Sequence, residues 1–275
     1  MKINKYPDGT SYINDVEDLH ESVFRINTYE DLWHLHQAVD AYSHKFKTIP
    51  TITIPNLIDA QADRRFNDGE SSGLKLVCNL LGNMKANFRI FHPHNPEVVE
   101  SIMDNVEIID NSFFIINVLT SLLLDTSNHE SLILMSPDAG SFKPLMSLCD
   151  KIDWKGETFS GSKARSYIGD SMTLVQQIDR TDFKGKDILI VDDLSVYGGT
   201  FKGLSKMLKE RNCGKLYLAV SHMTVQDLGK DPVTNYFDKV FTTNSKFDKY
   251  PQLHLNYQDT YYNENPDNLT IIKLF

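Results

Sequence analysis

The sequence predicts an α/β protein of two domains, each with a central, mostly parallel sheet flanked by helices. Three observations predict it: short apolar runs rich in branched residues, longer stretches of helical period between them, and a length of 275 residues. At roughly 100–200 residues per domain, that length holds two cores. A parallel strand is covered on both faces, so it reads as a continuous apolar run rather than as an alternation. Strand alternating with helix is the order in which such sheets are wound.

In chain order, the runs at residues 23–26, 51–54, 88–91, 132–135, 188–191 and 216–220 are the expected strands. Between them, residues 29–42 carry Leu32, Leu35, Val39 and Tyr42 on one helical face, and residues 71–84 carry Leu74, Val77, Leu80 and Leu81. Residues 200–211 repeat the pattern with Phe201, Leu204 and Leu208. A polar, tyrosine-rich stretch from Tyr250 to Asn268 precedes a last strand expected within residues 269–275. The two sets of elements divide near residue 110, giving domains over 1–110 and 111–275.

Composition narrows the function classes. With 41% hydrophobic and 24% charged residues, disordered and collagen-like classes are excluded. No apolar run reaches the roughly 18–20 residues that span a bilayer, and MKINKYPDGT lacks the apolar core of a signal peptide, so a cytoplasmic protein without membrane partners is expected. The net charge of −9 argues against nucleic acid and leaves room for a local basic pocket that takes a small phosphorylated ligand. Cys78, Cys149 and Cys213 form no CxxC pair and read as buried thiols.

In open α/β sheets ligands bind beyond the carboxyl ends of strands, so the residues after each run matter most. After 188–191 come Asp192, Asp193, Leu194, Ser195, Val196, Tyr197, Gly198, Gly199 and Thr200, leading into a helix. A Gly-Gly-Thr turn at a helix N-terminus offers free backbone N–H groups to a phosphate, and the paired acids suit sugar hydroxyls or a metal. After 132–135, Ser136-Pro137-Asp138-Ala139-Gly140-Ser141 places Asp138 to meet a cation before a helix containing Lys143. After 88–91 stand His92, Pro93, His94 and Asn95. Arg64 with Arg65, and Lys163 with Arg165, are cations of the kind a polyphosphate transition state requires.

In order along the chain, these residues resemble the ribose-phosphate pyrophosphokinase (phosphoribosyl pyrophosphate synthetase) family. Lys5 to Thr10 (KYPDGT) match its F-x-D-G-E, residues 60–70 its A-R-Q-D-R-R and following loop, and His92-Pro93-His94 its D-x-H. Ser136 to Gly140 match S-P-D-x-G, Ser162-Lys163-Ala164-Arg165 the mobile K-x-R loop, Val191 to Thr200 V-D-D-x-x-x-T-G-G-T, and Ser221-His222 T-H.

The resemblance implies two phosphoribosyltransferase-like domains, the first on the ATP side and the second carrying the ribose 5-phosphate loop, with the active site between them. It implies transfer of the β,γ-diphosphoryl group of Mg-ATP to the anomeric hydroxyl of ribose 5-phosphate, giving phosphoribosyl pyrophosphate and AMP. By position His94 and Asp138 would hold Mg²⁺, and Lys163 and Arg165 would act on the transferring group. Asp8, Thr10, Gln61, Asp63, Arg64 and His94 would serve ATP, Asp8 and Thr10 by reaching a neighbouring subunit's adenine, which implies a homo-oligomer. Asp192, Asp193, Tyr197, Gly198, Gly199 and Thr200 would bind ribose 5-phosphate.

The chain departs from the family at Gln61 and Ala62, where arginine then glutamine are usual, at Val196 for aspartate, at Tyr197 for threonine and at Thr10 for glutamate. It begins near the F-x-D-G-E element and lacks the final helix, so a dimer rather than a hexamer is expected, with weak or absent phosphate activation and ADP inhibition. Three functions follow in order: the diphosphokinase, a non-catalytic nucleotide- or ribose-phosphate-binding homologue, and a phosphoribosyltransferase.

Overall fold

The structure, a computed structural model, describes residues 1–125, 132–168, 171–224, 231–247 and 267–275, with 123–125, 163–168 and 171–176 described by backbone alone. The chain forms two compact units, Met1–Asp110 with Phe275, and Asn111–Leu274.

The first unit opens with an antiparallel hairpin of β1 (Lys2–Lys5) and β2 (Ser11–Asn14). Its sheet follows chain order: β3 (Ser22–Val23), β4 (Thr51–Ile54), β5 (Asn87–Phe91) and β6 (Val106–Ile109), all parallel. The crossovers are α1 (Tyr29–Phe46), α2 (Gly73–Gly82) and α3 (Pro96–Ile102). A capping box starts α1: Asp31 N donates to Thr28 Oγ1 at 3.1 Å while Thr28 N donates back to Asp31 Oδ2 at 2.8 Å. Lys47, left-handed at φ 57°, ends the helix four residues later than its apolar period suggests. Leu32, Leu35, Ala38, Val39 and Tyr42 turn inward onto Ile52, Ile54, Phe88 and Ile90 in one core cluster. Of the run expected over 23–26, only Val23 falls within β3, and Phe24 N still donates to Thr53 O of β4 at 2.8 Å.

The second unit contains α4 (Ser112–Asp125), β7 (Leu132–Ser136), α5 (Phe142–Lys151), β8 (Glu157–Ser160), β9 (Ser162–Ile168), β10 (Ser171–Gln177), β11 (Asp187–Ser195), α6 (Gly199–Glu210), β12 (Leu216–Met223), β13 (Lys239–Thr243) and β14 (Leu269–Ile272). Six of these strands form one sheet in the order β14-β13-β12-β11-β7-β8, and every pairing is parallel. From β7 the chain moves outward to β8, then returns to β7's other side as β11 and continues outward through β12, β13 and β14. The strand order therefore reverses between β7 and β11, which opens a crevice at their carboxyl ends.

Phe201, Leu204 and Leu208 of α6 pack on Ile188, Ile190, Leu216 and Leu218, and each such side chain contributes about 1.5–3 kcal/mol by leaving water. The stretch expected as a mobile loop at 162–165 is instead strand β9, paired antiparallel with β10. Alternating small and polar residues do not show the continuous apolar run by which sheet strands are recognised. The polar, tyrosine-rich stretch from Tyr250 lies, up to residue 266, outside the described residues. Cys78 and Cys149 are buried, and burial pushes both thiols up to about 11, far from a reactive thiolate. Among the described residues no helix is long and apolar enough to cross a membrane.

Candidate active site

In the second unit the two strands flanking the reversal each end in a short, tightly bonded turn. After β7, Asp138 folds back over its own turn: Gly140 N and Ser141 N donate to its Oδ1 at 3.0 and 3.2 Å. The carboxylate thus shapes the start of α5, a structural task the sequence alone did not reveal. Ser136 Oγ donates to Asp138 O at 3.0 Å, and Gly161 N donates to Ser136 O at 2.9 Å. A Cβ on Gly161 would stand 2.6 Å from Pro137 O, so only glycine lets β8's exit run this close beneath the turn.

After β11 comes the acid pair. Asp192 and Asp193 are half-buried within the strand, and Asp193 Oδ1 accepts from Leu194 N at 2.8 Å. Tyr197 is 68% exposed, and Gly198 turns the chain with φ +66° to start α6. Among the described residues no side chain caps that helix, and a Cβ on Gly199 would meet nothing within 4 Å. The first N–H groups of α6 therefore lack a capping side chain, the condition for receiving an oxyanion at the positive end of the helix. Ser195 Oγ, buried at the end of β11, has no hydrogen-bond partner among the described residues. Lys163 and Arg165 occupy alternate positions of β9, opposite Gln176 and Leu174, and their side chains are not among those described.

The first unit repeats the arrangement at the ends of β4 and β5. Asp63, 8% exposed, accepts from Asn95 Nδ2 at 2.9 Å and from Arg64 Nε at 3.2 Å. Burial pushes its carboxyl up, but the bonds from Asn95 and Arg64 and the nearby charges of Arg64 and His94 outweigh it, holding the group below its ordinary range. Asn95 also caps α3 by accepting from Val98 N at 3.2 Å, so one side chain fixes both the helix and the loop that bears His94. His92, just before, adopts φ 39°, a conformation costly for a residue with a Cβ. Arg64 and His94 are exposed, as is Gln61. Asp8 and Thr10 lie apart from these loops, on the β1–β2 turn, where Thr10 Oγ1 and N both donate to Asp8 Oδ1, at 2.7 and 3.0 Å. The hydroxyl bond chiefly holds Asp8 below the ordinary carboxylate range.

Sequence reasoning passed over Asn95 and Ser195, because their importance lies in what folding brings beside them. A cavity of about 330 Å³ lined by Ile116, Leu119, Trp154 and neighbours sits by the amino end of β8, away from the turns just described. Among the described residues no three His, Cys, Asp or Glu side chains gather to hold a metal. Magnesium is commonly held by one or two carboxylates plus phosphate oxygens, and Asp138 is a carboxylate of that kind.

The model of the phosphoribosyl transferase domain family matches residues 103–254. The ribose-phosphate pyrophosphokinase of Thermococcus kodakarensis is 23% identical over 252 residues, covering 89% of this chain and 85% of that protein. That of Pyrococcus abyssi is 25% identical over 250 residues, covering 89% and 84%. Among solved structures, phosphoribosylpyrophosphate synthetase from Mycobacterium smegmatis is similar with a TM-score of 0.72 at 17% identity, over 99% of this chain and 85% of that one.

Proposed function

The chain belongs to the phosphoribosyl transferase domain family, and from that premise we propose that it is a ribose-phosphate diphosphokinase. It transfers the β,γ-diphosphoryl group of ATP to the anomeric hydroxyl of ribose 5-phosphate, giving phosphoribosyl pyrophosphate and AMP. The observation that carries this reading is the uncapped N-terminus of α6, placed directly after Asp192 and Asp193 at the strand reversal. Relatives named for this activity over most of their length support it.

In this reading the α6 N–H groups and Thr200 bind the 5-phosphate, while Asp192 and Asp193 accept hydrogen bonds from the ribose hydroxyls. Arg64 and Asp63, with Gln61 beside them, form the nucleotide side, while Asp8 and Thr10 reach the adenine bound by a neighbouring copy of the chain. His94 and Asp138 would hold Mg²⁺, which would supply positive charge to the nucleotide phosphates. A bond forms from the anomeric oxygen to the β-phosphorus as the bond from that phosphorus to the α,β-bridging oxygen breaks; AMP departs with the bridging oxygen, and the hydroxyl proton passes to water. The protein has little covalent work, so alignment and charge compensation supply the rate.

Lys163 and Arg165 stabilise the transferring group. Lys163→Ala should therefore lower turnover by roughly 10²–10⁴-fold while changing substrate affinity less. The test follows AMP and phosphoribosyl pyrophosphate by chromatography, from Mg-ATP and ribose 5-phosphate, beside that variant. Equal amounts of both products, lost with Lys163→Ala, support the diphosphokinase. Binding of ribose 5-phosphate without AMP release favours a non-catalytic homologue, the reading to which Gln61, Ala62 and Val196 lean.

A further inference from the structure

The carboxyl edge of the second sheet carries a polar run that the proposed reaction leaves unused. β13 leaves the sheet through Thr242, Thr243, Asn244 and Ser245, each at most 1% exposed, and delivers Lys246 into a half-buried position. That backbone is firmly held. Thr243 Oγ1 donates to Ser221 O at 2.6 Å, Ser245 N donates to Thr243 Oγ1 at 3.2 Å, and Asn244 Oδ1 accepts from Leu274 N at 2.8 Å. Ser245 Oγ donates to Ser221 O at 3.2 Å and lies 2.8 Å from His222 Nδ1. With its proton given to the carbonyl, the hydroxyl accepts from His222, which ties Lys246's neighbour to β12.

Lys246 itself is paired with no described residue, and burial alone pushes its ammonium down. A desolvated cation without a counter-charge is costly. In a chain with 37 acidic residues the position could have been given one. The same edge has unmet hydrogen-bonding capacity as well: the hydroxyls of Ser195, Ser221 and Thr242, near the ends of β11, β12 and β13, are buried without partners among the described residues. The turn at Gly198, Gly199 and Thr200, by contrast, contains no cation, and the next lysine, Lys202, is paired with Asp231 at 3.3 Å. β13 lies two strands from β11, roughly 10 Å at about 4.8 Å per strand, which a lysine side chain and a phosphate group together bridge.

We infer that Lys246 is the cationic contact of the sugar-phosphate site, meeting the 5-phosphate whose other oxygens face the first N–H groups of α6. A phosphate monoester carries close to two negative charges at neutral pH, and a charge-assisted bond supplies what the uncharged turn lacks. This inference rests on the ribose 5-phosphate reading above and adds to it the residue that sets affinity for the phosphorylated over the unphosphorylated sugar.

Calorimetric titration of the full chain with ribose 5-phosphate, and with inorganic phosphate as the probe of charge alone, tests it on Lys246→Met and Lys246→Arg. Lys246→Met is expected to weaken both ligands roughly tenfold, as loss of one charge-assisted bond does, while Lys246→Arg stays near wild type. In the AMP assay the loss should fall on KM for ribose 5-phosphate and leave kcat near wild type. The ligand-free Lys246→Met protein should melt no lower than wild type, because it removes a charge that no described residue balances. Unchanged affinity in Lys246→Met overturns the inference and leaves the diphosphokinase standing. A lower melting temperature of the ligand-free variant also overturns it, since it reveals a structural partner for the charge. If wild type binds neither ribose 5-phosphate nor phosphate, both readings fall together.

Discussion

Asp63 is buried, charged and bonded both to its neighbour Arg64 and, through Asn95, to the loop after β5. Removing it strands the Asn95 amide, so Asp63→Ala should destabilise the first unit by about 1–3 kcal/mol in denaturant titration and weaken nucleotide binding. The sign with pH follows from its lowered carboxyl. The bonds favour the ionised form, so their contribution is complete above the unfolded value near 4 and is lost as pH falls through the lower folded value. Acid titration of Asp63→Asn should lack that component, and an unchanged acid limb would contradict the assignment. Gly161 makes a different demand, a close approach of backbones. Gly161→Ala must push Pro137 aside, at about 1–3 kcal/mol, and its signature should be lost turnover from a displaced Asp138 turn, read against a melting curve.

Capping gives the elements their boundaries. Thr28→Ala removes one half of the box that begins α1 and should lower stability by about 1 kcal/mol, measured as a shift in denaturation midpoint. The uncapped α6 behaves oppositely: ribose 5-phosphate should slow amide exchange over residues 199–202, where a side chain would otherwise serve. How legible each element was depended on its surroundings. The strands β4, β5, β7, β11 and β12 announce themselves because both faces are covered, which selects unbroken apolar runs. The edge strands β6 and β8 have one neighbour and the mixed sequences VEII and ETFS, so no run betrays them. The turn between β11 and α6 was readable because acids and glycines interrupt an apolar context at one point. Asn95, Ser195 and Lys246 were not, since ordinary polar residues acquire meaning only from burial and from partners distant in sequence.

At the scale of the molecule, the two units keep separate cores, with Leu35, Phe88 and Ile90 in one and Ile190, Leu204 and Leu218 in the other. Leu204→Ala should therefore cost about 2–5 kcal/mol and speed hydrogen exchange through β11 and β12, with far less effect on α1. Equal acceleration in both units would refute that independence. The reversal of strand order also governs how the fold is reached. β7 pairs with β11 through Leu132 and Asp187, a separation of 187 − 132 = 55 residues, whereas the β9–β10 hairpin closes over neighbours such as Ile168 and Ser171. Loop-closure entropy makes the local hairpin fast and the long-range pairing slow. During synthesis the hairpin can thus zip while β7 still waits for β11 to emerge, and the two turns that flank the crevice meet only after that pairing has closed. In the proposed reading, phosphoribosyl pyrophosphate synthesis then reports that β7 and β11 have paired.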